Sequence, residues 1–149
     1  MNGEEKPKGM YFSTSKQYQD FVEKLSNDDL QLLEIIFYGI TLKTIPEFII
    51  KMEKIQILQF YTPKISFITE EFFSLKSLTF LKFTSNIKYI PYNFGNLINL
   101  KTFSLHLENS PVHIDFHIYK MKTLVLWENT YKRQILLNKT KTKTICFFV

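Results

Sequence analysis

The residues best suited to chemistry are crowded into one stretch. All three histidines, His106, His113 and His117, fall within twelve residues, and Asp115 lies between the last two. The segment Val112-His113-Ile114-Asp115-Phe116-His117-Ile118 alternates apolar and polar residues. An extended backbone would therefore point His113, Asp115 and His117 to one side and the four apolar residues to the other. Two imidazoles and a carboxylate are a ligand set for zinc or iron. Alternate residues of one strand are spread along a line, however, and converging three of them on one ion calls for ligands from a second segment. They read better as solvated residues of an outer face, and no metal is expected. The one cysteine, Cys146, sits in the apolar run Ile145-Cys146-Phe147-Phe148 with no neighbouring base, which is the setting of an inert strand thiol. The four glycines, Gly3, Gly9, Gly39 and Gly95, are scattered, so no phosphate-cradling loop or nucleophile elbow is present. The expectation is a protein that is no enzyme and carries no cofactor.

The elements that would position any site follow from composition and pattern. The chain has 149 residues, enough for one domain and one core, with 45% apolar and 22% charged residues, which excludes a disordered chain. It holds 17 Ile and 15 Phe but no alanine, a mix that favours strands over a helical bundle. A single cysteine excludes a disulfide framework and suits a reducing compartment. The longest uncharged window, Tyr89 to Leu100, is 12 residues and includes Pro91 and Gly95, too short and too broken for a membrane helix. With no secretory signal among the first thirty residues, the expected location is cytoplasmic. Charge is uneven: residues 1 to 75 carry eight Lys against eleven acids, whereas residues 76 to 149 carry ten Lys and Arg133 against three acids. A basic half attracts acidic partners and phosphates, although lysine lacks the planar fork of arginine, and a lysine-rich codon bias explains it equally well.

A repeat is visible at a period of 21 to 23 residues. The segments beginning at Leu32, Ile55, Leu78, Leu100 and Met121 place apolar residues at positions 1, 4 and 6, and a sixth beginning at Thr142 keeps positions 4 and 6. Their position-6 residues are Phe37, Phe60, Phe83, Leu105, Leu126 and Phe147. The second halves agree too: Leu42, Ile45, Ile49 and Met52 recur as Ile65, Ile68, Phe72 and Leu75, then as Ile87, Ile90, Phe94 and Leu97. Such a unit is a short strand with a return segment, and its apolar face is buried only by its neighbours. Thr14 to Leu25 puts Tyr18, Phe21, Val22 and Leu25 at helical spacing with a hydroxyl residue available as N-cap.

This pattern resembles the leucine-rich repeat family in its 23-residue form, LxxLxLxxNxLxxIPxxIxxLxx, found in many intracellular bacterial and eukaryotic proteins. The resemblance covers residues 32 to about 129 well and the last twenty poorly. It implies an α/β fold, a short right-handed leucine-rich repeat solenoid of five to six coils with a parallel concave sheet and an N-terminal capping helix. The organisation expected is a flexible tail over residues 1–13, a capping-helix region over 14–31 and a repeat domain over 32–149, its last repeat, 142–149, incomplete. The asparagine expected at position 9 occurs only as Asn86 and Asn129, so the family's asparagine ladder is broken.

On such a sheet, positions 3 and 5 line the concave side, with 2, 7 and 8 flanking. Position 7 reads Tyr38, Tyr61, Thr84, His106, Trp127 and Phe148, nearly an aromatic row, and position 2 turns basic through Lys101, Lys122 and Lys143. Aromatic side chains bring large contact area for little lost freedom. The leading expectation is a protein-protein interaction module. Tyr38, Tyr61, Phe80, His106 and Trp127 would supply affinity, and Lys82, Lys101 and Lys122 would orient a partner of acidic character. Two other readings stand behind it: a structural or orphan repeat fragment of a larger assembly, and a basic nucleic-acid or anionic-surface binder, the latter disfavoured. At the C-terminus no cap follows the strand, so a homodimer through that edge, or a partner packed on it, is expected.

Overall fold

The computed structural model describes residues 8–107 together with short strands at 113–114, 123–128 and 145–148. It is an α/β fold built on a seven-stranded sheet whose neighbouring strands are all parallel. The strands are β1 (Gly9–Phe12), β2 (Glu34–Tyr38), β3 (Ile57–Tyr61), β4 (Phe80–Ser85), β6 (Thr102–Leu107), β8 (Thr123–Glu128) and β9 (Ile145–Phe148), paired in that order. The remaining two, β5 (Tyr89–Ile90) and β7 (His113–Ile114), form a small parallel sheet of their own. Parallel neighbours require crossovers. Between successive main strands these run through one-turn 3₁₀ helices at Glu47–Lys51, Glu70–Ser74 and Tyr92–Asn96.

The register explains why the apolar spacing persists. Phe12, Phe37, Phe60, Phe83 and Leu105 are partners across five strands, and Ile35, Leu58, Leu81 and Phe103 across four, and all of these are buried. Their neighbours on β2, β3 and β4 point the other way and stay partly exposed, because side chains alternate across a sheet, whereas Ser104 on β6 is buried. Each 3₁₀ turn closes the opposite wall with Phe48 and Ile49, then Phe72 and Phe73, then Phe94. An extended residue, Pro46, Thr69 or Pro91, leads into each turn. The phenylalanines stack: the Phe37 and Phe60 rings lie 4.9 Å apart and those of Phe60 and Phe83 4.8 Å, each pair tilted by 8°. Phe12 continues the column at 5.4 Å from Phe37.

The N-terminal region differs from the tail expected over residues 1–13. Gly9–Phe12 is a strand of the sheet, with Phe12 fully buried. It is held there because Leu33 donates its N–H to the Lys8 carbonyl and because Phe12 meets Phe37 on one side and Tyr18 and Phe21 on the other. The expected helix is α1 (Ser15–Glu23), started by a capping box in which Gln17 donates its N–H to Thr14 Oγ1 while Gln17 Oε1 accepts from Thr14 N–H. Tyr18, Phe21 and Leu25 pack on the core as the spacing predicts, and burial raises the Tyr18 pKa. Val22 does not join them; it is 40% exposed, since the stripe facing the sheet is narrower than the four residues chosen from periodicity. Beyond α1, Ser26 donates both its hydroxyl and its N–H to the Asp29 carboxylate, which lowers the Asp29 pKa and fixes the turn at Asp29–Gln31.

Of the two asparagines at position 9, Asn86 lies among the described residues and bonds to the backbone one unit back, and so does Asn99, which stands just before the Leu100 segment. Asn86 donates its side-chain amide to the Pro63 carbonyl at 2.9 Å, and Asn99 donates to the Lys76 carbonyl at 2.7 Å, each reaching the equivalent stretch 23 residues earlier. Ile40, which occupies the same position earlier in the chain, is buried as core instead. Gly39 has a left-handed backbone, φ +68°, and a Cβ on it would lie 3.1 Å from the Ser13 carbonyl oxygen. That close approach ties the end of β2 to the chain leaving β1.

Candidate functional site

One face of the main sheet is packed on the core and the other is half-exposed. All-parallel sheets are ordinarily covered on both faces, so a parallel sheet left open on one side is a surface to be explained. Along this face, among the described side chains, run Tyr11, Ile36, Gln59 and Lys82 in one row, which ends at the buried Ser104. Beside it runs Glu34, Ile57, Phe80 and Thr102, and beyond it Tyr38, Tyr61, Thr84 and His106.

The tyrosines form a connected cluster. Tyr38 is 52% exposed and Tyr11 51%. Their rings stack at 6.2 Å, and Tyr38 meets Tyr61 edge-to-face at 5.5 Å. Tyr61 donates its hydroxyl to Gln59 Oε1 at 3.0 Å, and Lys82 Nζ sits 4.9 Å from the centre of the Tyr61 ring. The ring thus fixes the direction of the ammonium by a cation–π contact while leaving its charge unneutralised. Among the described residues no ion pair involves Lys82, Lys101 or Glu34. Glu34 lies over Gly9, where a Cβ would come within 3.3 Å of its Oε2, so the absence of a side chain at Gly9 makes room for the carboxylate.

Of the residues singled out from sequence, Tyr38, Tyr61 and Lys82 are brought into mutual contact. Phe80 is half-buried, directly across from Ile57, and His106 is half-buried, separated from Tyr61 by Thr84. Lys101 is exposed at the start of β6, its N–H donated to the Thr79 carbonyl. The Trp127 backbone pairs with His106 in register, but its side chain and the whole of Lys122 lie outside the described residues, as do Asp115, His117 and residues 142–144. Tyr11 was missed because it stands in the segment read as tail. The signal was there in Met10-Tyr11-Phe12, whose alternation matches the later strands, but Phe12 and Phe37 are 25 residues apart, outside the period. Position 8 also needs correction. Thr62 and Ser85 do not flank the open face but are fully buried, because they continue the alternation that buries Leu58 and Phe60, and Leu81 and Phe83, on the core side.

Among the described residues no three His, Cys, Asp or Glu side chains are grouped to hold a metal ion, and no helix is long and apolar enough to cross a membrane. No family model matches the chain, and no curated protein matches it.

Proposed function

We propose that this chain is a protein-binding module of the leucine-rich repeat type, an α/β solenoid that engages a partner protein on its concave sheet face. The observation that carries this reading is the cluster of exposed, mutually stacked tyrosines on a parallel sheet face that no described element covers. Aligned exposed aromatics are anchors at interfaces, where each fills a pocket at small entropic cost. Tyr38, Tyr61 and Phe80 supply contact area on this reading, Lys82 and Lys101 orient the partner, and His106, Trp127 and Lys122 extend the surface towards the C-terminal strands. A cytoplasmic location, no catalysis and no cofactor go with it. The test is affinity capture from the native host on the immobilised full chain, followed by binding of the captured protein to variants. Tyr38→Ala is expected to weaken binding by about 2 kcal/mol, or roughly 30-fold, as hot-spot truncation does. Lys54→Ala, exposed and away from this face, is expected to bind normally. A partner indifferent to Tyr38 but sensitive to Lys54 overturns the reading.

The C-terminal edge adds a second contact. Among the described strands β9 pairs only with β8, and a strand edge without a described partner is a template for another chain. Homodimerisation through that edge, or coverage of it by the partner, follows. Light scattering of the full chain against a deletion of residues 144 to 149 checks this, with loss of the dimer or weaker capture as the expected result. A monomer whose stability and capture are both unchanged by the deletion removes the edge from the interface.

A further inference from the structure

We infer that the core contains an internal binding site for one water molecule, formed by Thr62, Ser85 and Asn86 where β3 and β4 lead into their return segments. The site is independent of whatever occupies the open face.

Among the described residues, three buried side-chain oxygens have no hydrogen-bond partner: Thr62 Oγ1, Ser85 Oγ and Asn86 Oδ1. The large majority of buried polar side-chain atoms do have one, because an unpaired group keeps its full desolvation cost. Here the surroundings are apolar, since Phe60, Ile65, Phe83 and Ile87, close by in the chain, are all fully buried. The three oxygens also belong to one place. Tyr61 and Thr84 are register partners and Thr62 donates its N–H to the Thr84 carbonyl, so Thr62 and Ser85 stand side by side one step further along. Both are fully buried on the core side. Asn86 follows Ser85 and donates its amide to the carbonyl of Pro63, the residue after Thr62. A carbonyl only accepts, so it takes the Asn86 Nδ2 and leaves Oδ1 in need of a donor. Thr62 precedes proline, which holds it in extended backbone and keeps its hydroxyl in the alternation that faces inward.

The chemistry and the spacing suit a water. One water that donates to Asn86 Oδ1 and to one hydroxyl, while accepting from the other, gives every oxygen a partner. Buried waters make about three such bonds. Adjacent strands lie about 4.8 Å apart, and two O–H···O bonds of about 2.8 Å meeting at a water span about 4.5 to 5.5 Å. Hydroxyls one strand spacing apart are thus set to share a bridge. Thr62 and Ser85 are also far smaller than Phe60 and Phe83, which face the core two residues earlier, and the water takes the volume they leave. It ties β3 to β4 just past the end of their register.

A crystal structure of the full chain in which ordered waters are seen tests the site, together with urea unfolding of Thr62→Val, Ser85→Ala and the double variant. Density for one water within about 3 Å of all three oxygens is expected. Each single variant keeps the packing but leaves the other groups short of a partner, so each should lower the folding equilibrium constant about tenfold. The double variant should cost little more than one single, because the water is lost with the first. No density there, or hydroxyls bonded directly to protein groups, overturns the site. A peak whose contacts suit only a cation overturns water as the occupant. Single variants that are neutral or stabilising, or losses that add in full, overturn the three-way bridge.

Discussion

Phe60→Ala is expected to destabilise the fold by about 3–5 kcal/mol, the range for truncating a buried aromatic ring. Phe60 is fully buried at the middle of the phenylalanine column, and its ring is held between those of Phe37 and Phe83 at 4.9 and 4.8 Å. Removing it leaves a ring-sized void that the strands cannot close, because backbone hydrogen bonds to β2 and β4 fix their spacing. It also breaks two stacking contacts at once, each adding to the area term. Urea unfolding followed by circular dichroism measures the loss. Phe60→Leu, which keeps most of the volume, should recover a large part of it. A midpoint unchanged in Phe60→Ala would mean that the column is not the core.

Leu81→Ala should cost about 2–5 kcal/mol. Leu81 is fully buried on β4 between Leu58 and Phe103, and β4 bonds on both edges to full-length neighbours. The void it leaves is therefore bounded by the most constrained part of the sheet. Lys88→Ala is the control: its side chain is exposed, and its backbone N–H, which bonds to the Ser66 carbonyl, is kept in the variant, so the change should stay within about 0.5 kcal/mol. Equal small losses at both sites would put Leu81 outside the core and overturn the repeat register from which its burial is read.

From Leu32 to Leu105 the strands were legible in the sequence, because the same positions are buried in every segment and the register pairs like with like. Glu34 aligns with Ile57, Ile57 with Phe80, and Phe80 with Thr102, at the spacings read from the chain. β1 was not legible. A helix and a 3₁₀ turn separate it from β2, which breaks the period, and a four-residue strand carries too few alternations to stand out. The site was half legible. Alternation predicts that Tyr38, Tyr61 and Lys82 share a face, but not that Lys82 folds over the Tyr61 ring, since ring contacts depend on rotamers that no spacing encodes. Thr62 and Ser85 show the opposite error: the repeat pattern put position 8 on the flank of the open face, whereas alternation from Phe60 and Phe83 puts both on the core side.

Every main-sheet strand bonds to the strand that precedes or follows it in the chain, with only the short β5 and β7 set aside. Each pairing therefore closes a loop of one strand-and-return unit, and none waits for parts of the chain more than 25 residues apart to find one another. Structure can begin at any adjacent pair and spread outward, and it can also be lost outward in, one strand at a time. Amide protons of β3 and β4 should therefore exchange slowest and those of the two outermost strands fastest, so that loosening frees Tyr11 on β1 before it reaches Tyr61 on β3.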